Sequence, residues 1–372
     1  MRKLFETTQI NGMTLNNRFV RSATWTGMAE NDGSCTSKLV NLTADLAEGG
    51  VGLIITGHAY VHPRGQAGPW QLGIYKDEHI AALRKMTQVV HARKGKIVMQ
   101  LAHAGIYADT DLTGQRPLAP SPIPGLTGKA PEEMTPEDIR AVIEAFASAA
   151  ERAKAAGFDG VQMHAAHGYL MNQFLSPAYN KRQDQYGGSI ENRARFLQAV
   201  LVAVRKRVGR NYPVLIKINS QDYIKGGLEL EDAVKACNLL KAEGLSAVEV
   251  SGGTRESGKL IPVRTGITTE GREAYFKDAA IAFKKSIDLP IILAGGIRSF
   301  HVARQIVEDE IADYISISRP LIREPGLINR WKSGDTSKAT CLSDSKCFVP
   351  IRNGKGVYCV VEKKLHDKRA GD

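Results

Sequence analysis

His164, His167 and Tyr169 stand close together in the stretch HAAHGY, directly after the short strand-like run of residues 161–163. Two neutral imidazoles three residues apart can each donate an N–H to one oxygen atom, and a phenol two positions further on can supply a proton beside it. That is equipment for polarising a carbonyl group. The same residue types, taken singly, are as often a polar loop and a ring packed for its bulk, so their surroundings decide between the two.

Those surroundings, residues 157–196, read GFDGVQMHAAHGYLMNQFLSPAYNKRQDQYGGSIENRARF. The block resembles the signature of the old yellow enzyme family, the FMN-dependent NAD(P)H:flavin oxidoreductases. There HxxHxY is followed by QFLSP, here from Gln173 to Pro177, then YGGS from Tyr186 to Ser189, and ENRxRF from Glu191 to Phe196. The resemblance runs from about residue 4 to residue 331, with the flavour of the barrel portion of bacterial 2,4-dienoyl-CoA reductases and trimethylamine dehydrogenase. It implies noncovalent FMN and NAD(P)H as hydride donor. Hydride would reach the β-carbon of an activated alkene while His164 and His167 hold its carbonyl oxygen and Tyr169 protonates the α-carbon. Two alternatives fit the same barrel: an amine or N-methyl dehydrogenase or demethylase, and a non-enzymatic flavin-binding redox protein, which would keep the flavin contacts without requiring the histidine pair.

Such groups must be delivered to one place by the elements that carry them. Continuous apolar runs, as expected of parallel strands covered on both faces, alternate with helical patterns along the whole chain. Strands are expected at residues 19–24, 51–57, 96–101, 161–163, 214–218, 247–250, 290–294 and 314–318. Helices are expected from about Thr36, then over 78–93, 136–156, 191–208, 230–243, 271–285 and 300–307, with a short last one near Gly326. Eight strand–helix units predict an α/β fold, a single (β/α)8 TIM barrel, with active residues at the carboxyl ends of the strands. Residues 4–15 read as two short strands, and the turn dipeptide Asn11-Gly12 between them predicts an N-terminal β-hairpin closing the barrel's other end. Thr135, Pro136 and Asp138 read as the start of a helix and Gly157 as its stop. The long proline- and glycine-rich segment 105–134 is expected to form a wall or lid over the site. Residues 1–335 are assigned to the barrel and 336–372 to a C-terminal extension with an incomplete cysteine motif. No GxGxxG follows the first strand, so an open dinucleotide-binding sheet has no specific support.

In the family's pattern the other strand ends imply flavin contacts. Gln100, in QLAHAG, carries an amide that can meet the donor and acceptor edge of the flavin ring. Lys217 stands where the family more often has arginine, a cation for the charge that reduced flavin develops. Gly295, Gly296, Ser318 and Arg319 follow the seventh and eighth strands, where barrels commonly bind phosphate. Ser22, Ala23 and Thr24 form the corner expected beneath the ring, and Trp25 and His58 are candidates for the substrate pocket together with His164 and His167.

A hydrophobic content of 43% with 24% charged residues is that of a soluble globular chain. It carries no apolar run of membrane-spanning length and no apolar signal segment at its N-terminus, so a cytoplasmic protein is expected. The formal charge of +11 is scattered, without interleaved aromatics, so neither nucleic acid nor membrane is expected as a partner. The expected ligands are a small-molecule substrate and an anionic cofactor, and a homo-oligomer is compatible with the sequence. Five cysteines in 372 residues suit a reducing compartment. In CLSDSKCFVPIRNGKGVYC, Cys341, Cys347 and Cys359 resemble the C-x2-C-x2-C run and later fourth cysteine of relatives that carry an iron–sulfur cluster, and Asp344 stands where that pattern implies the second cysteine. One hard ligand among soft ones argues against an iron–sulfur cluster, so neither cluster nor metal is expected. The extra modules of larger relatives are not in this sequence, and hydride is expected to arrive directly from NAD(P)H.

Overall fold

The computed structural model describes residues 2–123 and 130–371. Its main sheet has nine strands, of which the two-residue Ala59–Tyr60 lies beside Lys96–Ala102 as a side strand. The remaining eight close into a parallel ring: β1 (Phe19–Arg21), β2 (Leu53–Ile55), β3 (Lys96–Ala102), β4 (Gly160–Ala165), β5 (Val214–Asn219), β6 (Ala247–Ser251), β7 (Ile291–Leu293) and β8 (Tyr314–Ile317). β8 pairs back onto β1 and completes the barrel. One main helix follows each strand: α1 (Ser37–Glu48), α2 (His79–Ala92), α3 (Pro136–Ala155), α4 (Ile190–Val208), α5 (Leu230–Ala242), α6 (Lys277–Ser286), α7 (Phe300–Glu308) and α8 (Leu327–Lys332).

The N-terminal hairpin, Thr8–Ile10 against Met13–Leu15, turns at Asn11 and Gly12, both with positive φ (44° and 79°), as a two-residue turn of this kind requires. Ile10, Met13 and Leu15 enter one apolar cluster with Val20, Leu53, Val98, Leu215, Ala247 and Ile292 from the inner faces of the strands. The hairpin thereby plugs the barrel floor and leaves the opposite end for chemistry. Leu4, expected in a strand, lies instead in a short helix, Arg2–Phe5.

A second departure lies close to the site. The helix expected from residue 271 begins only at Lys277, because Ala274 is left-handed (φ 51°) and the Tyr275 N–H is taken by the Gly295 carbonyl at 3.1 Å. Of the segment expected to form a wall or lid, Ile106, Tyr107, Ala108 and Ala119 cluster with Tyr169, while residues 124–129 lie outside the described residues. After α8, whose Trp331 is fully buried, the chain returns across the top of the barrel. There Cys347, Ile351 and Val357 pack with Trp25 and Met28, and the Val357 N–H bonds the Thr26 carbonyl at 2.8 Å. Among the described residues no helix is long and apolar enough to cross a membrane.

α3 opens on a reciprocal cap: Thr135 Oγ1 accepts from the Asp138 N–H at 3.1 Å while Asp138 Oδ2 accepts from the Thr135 N–H at 2.9 Å. Thr135→Ala is expected to cost about 1 kcal/mol in denaturant unfolding. An unchanged midpoint would mean that the cap is idle.

Candidate active site

β4 carries His164 in register with Lys217 of β5. Past the strand the chain turns through two left-handed residues, His167 (φ 62°) and Gly168 (φ 79°), a conformation that a histidine adopts only when it is held there. Asn219 Oδ1 accepts from the His167 N–H at 3.0 Å, and Asn172 Oδ1 from the Gly168 N–H at 2.7 Å. Both asparagines donate in turn to the buried Asp222 carboxylate, at 2.8 and 3.0 Å.

This corner brings the expected trio together. The His164 ring centroid lies 5.2 Å from that of His167 and 4.8 Å from that of Tyr169. His167 Nε2 sits 2.7 Å from Ser251 Oγ at the end of β6, while the buried His164 Nδ1 has no hydrogen-bond partner among the described residues. His58, a candidate for substrate contact, also holds the phenol, with Nε2 2.9 Å from Tyr169 Oη. Burial, reinforced by the neighbouring imidazoles and by Lys217, holds His164 and His167 well below the usual imidazole range, and burial with Arg255 pushes His58 down to about 4. Burial likewise raises the Tyr169 phenol, with Arg255 pulling the other way. All four rings are therefore uncharged at neutral pH.

The other half of the site is charged. Lys217 Nζ lies 2.8 Å from Ser22 Oγ and 2.9 Å from Glu249 Oε1, inside the barrel. Glu249 is fully buried and accepts from Ser22 Oγ and Ser316 Oγ, each at 2.7 Å, and from Gln162 Nε2 at 2.9 Å. Gln162 Oε1 accepts from Gln100 Nε2 at 2.7 Å. Burial works against the Glu249 carboxylate, but Lys217 and the hydroxyl donors outweigh it and hold its pKa below the usual carboxylate value. Lys217 is thus half of an ion pair rather than an isolated cation. Glu249, Gln162, Ser251 and Arg255 were absent from the residues expected from sequence.

Two adjoining cavities open over this network. One, about 670 Å3, is lined by Ser22, Ala23, Lys217, Gly295, Gly296 and Arg319. The other, about 1120 Å3, is lined by Thr24, Trp25, His58, Gln100, Arg255 and the His164–His167–Tyr169 cluster. Lys217, Ala23, His167 and Ser318 border both, so every site residue expected from sequence faces one continuous cleft. In the first cavity a Cβ on Gly295 would come 3.0 Å from the Tyr275 nitrogen, and one on Gly296 2.8 Å from the Tyr275 ring. Bare backbone beside an arginine is a setting for phosphate, and an amide and an ammonium along the cleft suit the polar edge of a flavin. The residues present fit FMN.

In the tail, burial chiefly, with Cys341, Cys359 and Asp344 adding to it, pushes the Cys347 thiol up to about 11. Among the described residues no group of three or more His, Cys, Asp or Glu side chains is arranged to hold a metal ion.

A flavin-dependent oxidoreductase barrel is the class that this fold and cleft define. The chain belongs to the NADH:flavin oxidoreductase / NADH oxidase family, whose description matches residues 3–338 and whose members use FMN with NAD(P)H. It is 37% identical over 362 residues to a metal reductase of Desulforamulus reducens, covering 96% of this chain and 53% of that one. It is also 37% identical over 324 residues to an NADPH dehydrogenase of Halalkalibacterium halodurans, covering 87% of this chain and 92% of the relative. Among solved structures, 2-naphthoyl-CoA reductase in complex with 2-naphthoyl-CoA superposes with a TM-score of 0.89 at 28% identity, covering 96% of this chain and 56% of that one. The chain therefore spans little more than half the length of some relatives and nearly all of others.

Two outcomes follow from this geometry. Glu249→Gln strands a buried ammonium and is expected to cost roughly 3–5 kcal/mol of stability, whereas adding Lys217→Met should recover part of that loss. Equal stability of single and double variants would mean that the two groups are not coupled. His58, His164 and His167 take up protons near pH 6.5 when unfolded but resist them when folded, so the unfolded state binds more protons and stability falls as pH drops below about 6.5. His164→Asn should flatten the decline in Tm between about pH 6.5 and 5, and an unaltered slope would contradict a neutral buried imidazole.

Proposed function

We propose that this protein is an FMN-dependent NAD(P)H oxidoreductase of the ene-reductase type. Its substrate class is α,β-unsaturated carbonyl compounds or enoyl thioesters. The observation that carries this reading is the convergence of two neutral imidazoles and a protonated phenol on one cleft wall, with no carboxylate among the described lining residues. Gly295, Gly296 and Arg319 at one end and Gln100 and Lys217 along the cleft would hold FMN, which would supply the relay of hydride from NAD(P)H to the β-carbon. His164 and His167 hold the carbonyl oxygen and take up its developing charge by hydrogen bonding, which makes the β-carbon electrophilic. Tyr169 delivers a proton to the α-carbon, and His58 orients its hydroxyl.

The name NADPH dehydrogenase, carried by a relative of similar length, supports the nicotinamide half of this reading. The oxidative alternative is disfavoured by charge: an alkylammonium substrate would meet Arg255 and Lys217 rather than an exposed carboxylate. A flavin-storing protein would have no use for the histidine pair.

Protonation of the α-carbon has no counterpart in the step that consumes NAD(P)H, so the two half-reactions should separate in Tyr169→Phe. Stopped-flow reduction by NAD(P)H is expected to stay within a few-fold of wild type, and reoxidation by an enone to slow by about 10² to 10⁴. Equal slowing of both would point to a disturbed cofactor pocket, and no slowing of either would remove Tyr169 from the chemistry.

A further inference from the structure

Part of the lining of the phosphate-end cavity comes from beyond the barrel. Cys341 and Ser343, in the C-terminal segment, line it together with Gly295, Gly296 and Arg319. Ser343 is 1% exposed, and its hydroxyl is buried with no hydrogen-bond partner among the described residues. A buried hydroxyl left unpaired is unfavourable, and one at the wall of a ligand cavity points to a partner that the ligand brings.

The backbone around it is bent to place it there. Ser343 and Ser345 both adopt the left-handed conformation (φ 56° and 58°), which non-glycine residues hold only when surrounding contacts impose it. Those contacts are present on both sides. The Ser343 carbonyl accepts from the Gly266 N–H at 3.1 Å, and the Ala339 N–H donates to the Arg298 carbonyl at 2.9 Å. Ser345 Oγ accepts from Arg319 Nη1 at 2.9 Å, while Arg319 Nη2 donates to the Arg264 carbonyl at 2.7 Å. The guanidinium assigned to phosphate is thus oriented by the same short segment that presents the orphan hydroxyl.

We propose that the segment after the barrel completes the flavin's phosphate site, with Ser343 Oγ donating directly to a phosphate oxygen and Ser345 positioning Arg319. The proposal rests on the FMN reading above. It makes the extension a part of cofactor binding.

Riboflavin, which lacks the phosphate, separates this role from general packing. The full-length chain, stripped of flavin, is titrated with FMN and with riboflavin while flavin fluorescence is followed. Ser343→Ala is expected to weaken FMN by roughly tenfold or more, the worth of one hydrogen bond to a charged group, and to leave riboflavin unchanged. Ser345→Ala should show the same selectivity, since it loosens Arg319. Wild-type affinity for FMN in Ser343→Ala, or an equal loss for FMN and riboflavin, would overturn the proposal. A wild-type protein that binds FMN no more tightly than riboflavin would sink the FMN reading itself, a result distinguishable because it needs no variant.

Discussion

The ion pair between Lys217 and Glu249 is the constraint around which the top of the barrel is built. Neither charge could remain in the interior alone, and each sits in the middle of an apolar strand, at the same register on neighbouring strands. One carboxylate then gathers hydroxyls from Ser22 and Ser316 and the amide of Gln162, which passes the chain of bonds to Gln100. Six of the eight barrel strands, or the corners that follow them, are thereby linked through a single buried group. A side chain that moved in any of them would leave a donor or a charge unsatisfied, so the network holds the cleft floor in one arrangement.

That arrangement divides the cleft by charge. At one end bare glycine backbone, Arg319 and the balanced Lys217 favour an anionic cofactor. At the other end burial keeps three imidazoles and a phenol uncharged, so they can donate hydrogen bonds without carrying the fixed positive charge that would grip a product anion. Donors aimed at a place where charge appears only during reaction stabilise the transition state more than the ground state. The asparagine pair behind His167 and the wall residues around Tyr169 keep those donors from relaxing away.

Much of this was legible in the chain. Apolar runs alternating with amphipathic helices specify the barrel, and the spacing of His164, His167 and Tyr169 places three functional groups at one strand end. What stayed hidden was the partnership between distant strands: Glu249 lies 32 residues from Lys217 and 227 from Ser22, so no local spacing connects them. Its trace was nonetheless present, since a glutamate inside AVEVS and a lysine inside LIKIN each demand a buried counter-charge. Ser343 carried no such trace, because its role depends on where the chain travels after the eighth helix. The late start of α6 was equally invisible, being set by a backbone bond from Tyr275 to the glycine loop rather than by the pattern of residues 271–276.

In the proposed reaction His164 and His167, both neutral, hold an oxygen that becomes negative. A phenol offers a stable mimic of that oxygen, and its titration into the flavin-loaded protein measures how tightly the two imidazoles hold it. The phenol is expected to bind as its phenolate, with a new long-wavelength absorbance, and His164→Ala and His167→Ala are each expected to lose both the absorbance and the tight binding. Wild-type affinity and absorbance in the two variants would contradict a role for the histidine pair in holding that oxygen.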